Sequence, residues 1–177
     1  KSFIGANRWF WFGEDGIEIQ GGLKVVYSKN TGGQENYNSK TEFTPDLAWG
    51  YQQELKRMEA WAKIGKVFVA QPWKSMGLQL SGVYHDQQSS YGLRHYNGQQ
   101  QSFYANYIFQ SSLGNTNNII KGGASFAYDA FEEQFTGENY QRKEIVPGIF
   151  TEYNYKYGEK FNLVAGLRAD YHNLFGA

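Results

Sequence analysis

The chain has 177 residues, 17 Lys+Arg against 17 Asp+Glu, no cysteine, and 18% aromatic residues. Balanced charge supplies no basic field for nucleic acid, and the missing cysteines exclude both a disulfide scaffold and a thiolate metal centre. No apolar run approaches the ~18 residues of a membrane-crossing helix, and KSFIGANRWFWF lacks the pattern of a signal peptide. The chain is therefore expected to begin after processing or inside a longer one.

Period-two alternation recurs from one end to the other. It is short over Asn7–Phe12. Over 17–28, Ile17, Ile19, Gly21, Leu23, Val25 and Tyr27 alternate with Glu18, Gln20, Gly22, Lys24, Val26 and Ser28. Over 53–68, Met58, Ala60, Ala62 and Ile64 oppose Arg57, Glu59, Trp61 and Lys63. An amphipathic helix is the rival there, and the neighbouring strands favour a strand. Further strands are expected over 75–86 (Met76, Leu78, Leu80, Tyr84 against Gln79, Ser81, Val83, His85) and 100–112 (Phe103, Ala105, Tyr107, Phe109 against Ser102, Tyr104, Asn106, Gln110). Two more follow over 119–132 and 145–156. The last begins at Phe161, where Leu163, Ala165, Leu167 and Ala169 alternate with Val164, Gly166, Arg168 and Asp170. Its regularity up to the final residues suggests more of the same sheet beyond it.

Links 13–16, 70–74, 113–118 and 157–160 read as tight turns. Links 29–52, 87–99 and 133–144 read as long polar loops, with 29–52 as a mobile lid and 130–138 as a solvated loop. Short and long links alternate, as the turns and loops of an outer-membrane β-barrel do. Apolar residues at every second position suit a spanning strand of about 9–11 residues. Trp9, Trp11, Trp73, Tyr27, Tyr84, Tyr107, Tyr128, Tyr155 and Tyr171 fall near expected strand ends, where interfacial girdles sit. The rival is a soluble antiparallel sandwich or lipocalin-like barrel, which also alternates. Wet-looking opposite faces and the loop asymmetry count against it.

GLRADYHN (166–173), reached from EIVPGIFTEYNYKYGEKFNLVAG (144–166), resembles the barrel strands of TonB-dependent outer-membrane receptors. So do residues 77–118 and NNIIKGGASFAYDAFEEQF (117–135). The likeness lies in the succession of strands and spans most of the chain. It implies a 22-stranded barrel filled by a plug, coupled through a TonB box to an inner-membrane energy complex. About eight strands fit here, with no plug and no TonB box, so residues 1–177 are expected to be an incomplete part of such a barrel. The implied activity is uptake of a scarce, bulky nutrient of the ferric siderophore, haem or cobalamin class. Expected partners are outer-membrane lipid and lipopolysaccharide, the plug and the TonB complex. The alternative is a self-contained eight-stranded barrel acting as adhesin, anchor or small pore.

Tyr91, Arg94, His95 and Tyr96, in SSYGLRHYNG, combine stackable rings, a fixed cation and an imidazole, and are the candidate ligand-binding loop. Glu18, Lys24, Arg57, Glu59, Lys63, Lys121, Asp129, Glu152, Arg168 and Asp170 are expected to face lumen or plug, mostly as solvated or paired charges. Catalysis is not expected, because Ser81 and His85 would stand about 13 Å apart along one strand, too far for a nucleophile–base pair. No cofactor or metal is expected. His85, His95 and His172 would need convergent carboxylates to hold an ion.

Overall fold

The computed structural model describes residues 1–38, 40 and 48–176. They form one antiparallel sheet of eight strands in sequence order: β1 (Ser2–Phe12), β2 (Ile17–Gly33), β3 (Gly50–Phe68), β4 (Gln71–Tyr91), β5 (Arg94–Leu113), β6 (Asn115–Phe135), β7 (Glu138–Tyr157) and β8 (Phe161–Asp170). The stretch with a helical rival is β3, and there is no helix among the described residues. The sheet is open. Among the described residues β1 pairs only with β2 and β8 only with β7.

Several strand limits differ from those expected. β1 is longer than Asn7–Phe12. Segments 87–99 and 133–144 are not loops: β4–β5 and β6–β7 run on as paired strands to two-residue turns at Gly92-Leu93 and Thr136-Gly137. Polar residues there leave no apolar alternation to read, yet the hairpin ladder supplies their backbone hydrogen bonds. Thr136 (φ 50°) and Gly137 (φ 94°) are both left-handed, the primed geometry that matches strand twist. Of link 29–52, residues 29–33 and 50–52 are strand, while residues 39 and 41–47 lie outside the described residues. The lid expectation therefore falls in part on undescribed chain.

Cross-strand register sorts side chains onto two faces. One carries Trp9, Leu23, Ala60, Leu80, Ala105, Phe126, Ile149 and Ala169 with their same-face neighbours. No apolar residue among those described is buried, and Met58, Ile149 and Leu167 are 57%, 65% and 78% exposed. The sheet thus has no core of its own. Its apolar face is open, whereas a soluble sandwich would cover it with a second layer.

The hairpin ends are staggered. The row of paired residues through Phe12 and Glu18 reaches β7 and β8 at Phe150 and Arg168, seven residues above their last pair, Tyr157↔Phe161. Six strand steps separate those hairpins. With a rise of ~3.3 Å and a strand spacing of ~4.8 Å, the line of turns makes the strands tilt by about 40°. The upper limit of the apolar face slants the same way. The row through Lys29 on β2 meets β7 at Asn139, four residues above Lys143. Between the two limits most strands hold about 10 residues of apolar face, a band about 25 Å tall at that tilt. On β3 the band is shorter, flanked by Lys56 and Lys66, whose long stems can lie along it. Tyr27, Tyr84 and Tyr128 mark its upper margin, and Trp11, Tyr155 and Phe161 its lower one. Tyr107 is an exception to the girdle expectation. It lies mid-band, because β5 runs further in both directions than its alternation suggests.

Pro147 sits inside β7, where a missing N–H normally costs a ladder bond. Its carbonyl accepts from the Tyr171 N–H. Since N–H and C=O of one strand residue point to the same side, the missing donor faces β8, whose ladder ends at Gly148↔Asp170. Above that point Asn173 stands in for a strand residue. Its Oδ1 accepts from the Ile145 N–H at 2.8 Å and its Nδ2 donates to the Lys143 carbonyl at 2.9 Å.

Candidate functional site

The second face is polar, and all ten charges expected on a common face lie on it. Glu18 stands beside Gly65, Lys24 beside Glu59, Arg57 beside His85, and Lys63 between Gln20 and Gln79. Lys121 pairs in register with Glu152, Asp129 with Ser102, and Arg168 with Phe150. Asp170 lies beside Gly148.

These charges are mostly matched locally. Glu59 accepts from Arg57 at 2.5 Å and lies 3.6 Å from Lys24. Lys121 reaches Glu152 at 2.9 Å. Arg168 donates to both oxygens of Asp170, at 2.7 and 2.6 Å, and to Ser125 Oγ at 3.0 Å. Asp129 accepts from Ser102 and Gln100. Large side chains lie across small ones: a Cβ on Gly22 would meet the Trp61 indole at 2.6 Å, and one on Gly98 would meet the Tyr96 ring at 2.9 Å. Arg8 stacks 4.2 Å over Phe10 and Arg142 stacks 4.6 Å over Phe131. The cross-strand ion pairs among these, Lys121–Glu152 and Lys24–Glu59, contribute roughly 0.2–1 kcal/mol each and help hold register, whereas Arg57–Glu59, Arg168–Asp170 and Arg8–Phe10 lie along single strands.

Arg142 and Glu144, on the same face, are not among the residues expected there, and His172 stands beside them. Arg142 Nε donates to Glu144 at 2.7 Å, and His172 Nε2 lies 3.8 Å from Glu144. Arg142 and Glu144 have the parity of Glu152, but they lie in 133–144, where a polar loop is expected and parity carries no face.

Tyr91, Arg94, His95 and Tyr96 do not form a single exposed loop. They flank the β4–β5 turn as strand residues and divide between faces. Tyr91 pairs with Arg94, and Tyr96 with Ser89, on the polar face, whereas His95 pairs with Ser90 on the other. The Tyr91 ring stacks on Tyr51 with centroids 6.1 Å apart. His95 Nδ1 lies 3.0 Å from Ser90 Oγ. The Tyr96 hydroxyl donates to Glu133 at 2.8 Å, and that hydrogen bond holds its pKa above the ordinary phenol value. The polar-face trio can present rings and a guanidinium toward one space, but His95 cannot join it.

Ser81 and His85 share the polar face with Val83 between them, on separate rows of the ladder. His85 Nδ1 is buried without a hydrogen-bond partner among the described residues. Among the same residues there is no cluster of three or more His, Cys, Asp or Glu side chains that could hold a metal ion.

At the upper rim, outside the apolar band, Glu54 accepts from Lys29 at 3.2 Å and lies 3.3 Å from Lys56. Lys29 and then Lys56 hold its carboxyl below the ordinary carboxylate range. A depressed folded pKa means that this contribution to stability is present above the unfolded value and is lost as pH falls through the folded one. Glu54→Gln is therefore expected to lower stability slightly at neutral pH, to leave the acid end nearly unchanged, and so to flatten the acid limb of the stability–pH profile. Denaturant midpoints taken across that range test it; an unchanged acid limb would show the contact to be idle.

Comparison with protein-family models, curated proteins and solved structures gives no match to this chain.

Proposed function

We propose that this chain forms part of the wall of a TonB-dependent outer-membrane receptor that imports a scarce, bulky nutrient. The observation that carries the membrane part of this reading is the slanted apolar band. Its height of about 25 Å and strand tilt of about 40° are those of outer-membrane barrels, as are its aromatic margins. An apolar face with no covering layer is unfavourable in water and favoured against lipid. The opposite face, with its matched charges, suits a wet interior or a polar plug. The tall overhanging hairpins on one side suit an extracellular surface. The receptor assignment itself rests on the likeness of residues 77–135 and 144–173 to such barrels.

Two unpaired edges cannot lie in hydrocarbon, where each unsatisfied backbone group costs several kcal/mol. β1 and β8 run antiparallel to each other but do not pair. This favours a ring with further strands over closure of these eight alone, and so weighs against the self-contained adhesin or pore.

Reconstitution into bilayers of brominated phospholipid tests the wall assignment. With single-tryptophan variants, Trp9 and Trp11 fluorescence is expected to be quenched and Trp61 fluorescence spared, since Trp61 lies on the opposite face. Equal quenching, or none, would sink it. Transport is tested separately. Deleting the gene should abolish growth on one iron, haem or cobalamin source, and an antibody against residues 89–98 should mark an outer-membrane band several times heavier than 20.3 kDa.

A further inference from the structure

Above the apolar band, on the same face, the overhanging strands carry a groove lined by the side chains of Asn97 and Gln99 of β5, Glu132 and Gln134 of β6, and Asn139 and Gln141 of β7, with Glu133 and Tyr140, of opposite parity, also bordering it. The six side chains form two rows of the ladder, Asn97↔Gln134↔Asn139 and Gln99↔Glu132↔Gln141. All six are exposed. Asn97 Nδ2 donates to Gln134 Oε1 at 3.3 Å, and Gln99 Nε2 donates to Asp86 Oδ2 at 3.2 Å.

Five carboxamides and one carboxylate make an unusual strand surface, because Asn is depleted from strands and contributes little packing there. The opposite face of the same strands is built differently, from Gly98, Gln100, Phe131, Glu133, Tyr140 and Arg142. The amides are thus specific to the outward side. Each carboxamide offers an acceptor and two donors in one plane, and Glu132 adds acceptors. No cation is among the lining residues, so a phosphate finds no counter-charge there, and the one ring, Tyr140, has the parity of the opposite face. Vicinal hydroxyls, each both donor and acceptor, match this set.

We infer that this groove binds the sugar hydroxyls of an outer-leaflet glycolipid. The assignment rests on the barrel-wall reading above. In that setting the groove faces away from the lumen and stands immediately over the lipid-facing band, at the height of the head groups.

The test uses the natural full-length gene product, extracted from its own outer membrane in mild detergent, with bound glycolipid per protein measured by mass spectrometry. Gln99→Ala/Gln134→Ala/Gln141→Ala is expected to retain about ten-fold less glycolipid, the effect of losing a few modest hydrogen bonds. Gln87→Ala/Gln100→Ala, on the polar face, should retain as much as the parent. Gln141→Ala alone, an exposed truncation that leaves the ladder intact, should lower retention about two- to three-fold. Undiminished glycolipid in both groove variants, with the protein correctly in the outer membrane, would overturn the inference and leave the barrel reading standing. Loss of soluble oligosaccharide binding with glycolipid retention unchanged would overturn the glycolipid assignment. Absence of the parent protein from the outer membrane would remove both.

Discussion

Leu80→Lys is expected to destabilise the sheet in lipid by about 2–4 kcal/mol, the cost of a lysine at mid-depth on a barrel's outer surface. Gln79→Lys, one residue away, should stay within about 0.5 kcal/mol. Leu80 lies in register with Ala62 and Ala105, midway between the aromatic margins, while Gln79 shares the polar face with Lys63 and Asn106. Alternation along a strand puts the two side chains on opposite sides of one thin layer, so the contrast measures what each side touches. Unfolding in lipid vesicles provides the readout. Equal costs for the two would mean that both faces see water or that both see protein, and the wall assignment would fail.

Gly148→Val should loosen β8, at a cost of about 1–3 kcal/mol, as overpacking typically does. Intrinsic strand preference argues the other way, since valine favours strands over glycine by up to about 1 kcal/mol. Sterics decide the sign. A Cβ at Gly148 would collide with the Asp170 carboxylate and lie 2.9 Å from Ser125 Oγ, and both groups bind Arg168. Neither can yield without giving up the guanidinium that ties β8 back to β6. Only β7 holds β8 by a backbone ladder, and that ladder ends at Gly148↔Asp170. Hydrogen exchange of the amides over 163–170 should therefore accelerate in the variant while the centre of β4–β5 is unchanged. Unaltered exchange in β8 would show that the Arg168 cluster does not hold the strand.

Gly148 also shows where reading a sequence stops. Nothing local distinguishes it from Gly166, which shares its parity, although a Cβ there would meet only the Thr151 carbonyl at 3.6 Å. The difference comes from which side chain the neighbouring strand lays across each glycine. Asn173 is similar. Its place in the sequence suggests a loop residue, and its role as a substitute strand partner for Ile145 and Lys143 exists only because β8 stops short of β7.

The sequence by itself determined the eight strands in outline and the face on which each charge lies, including all ten residues from Glu18 to Asp170. Parity is a local property: successive side chains point to opposite sides whatever the strand pairs with. It could not set strand length where both faces are polar, and so Gln99 and Gln141 fall within expected loops and Glu132 at the end of an expected strand. Tertiary pairing decided the hairpin overhangs, the stagger that tilts the band, the separation of His95 from Tyr91, Arg94 and Tyr96, and the two open edges. Each of these depends on backbone hydrogen bonds between residues distant in the chain, and no pattern within a single strand encodes which partner, or how many, it will find.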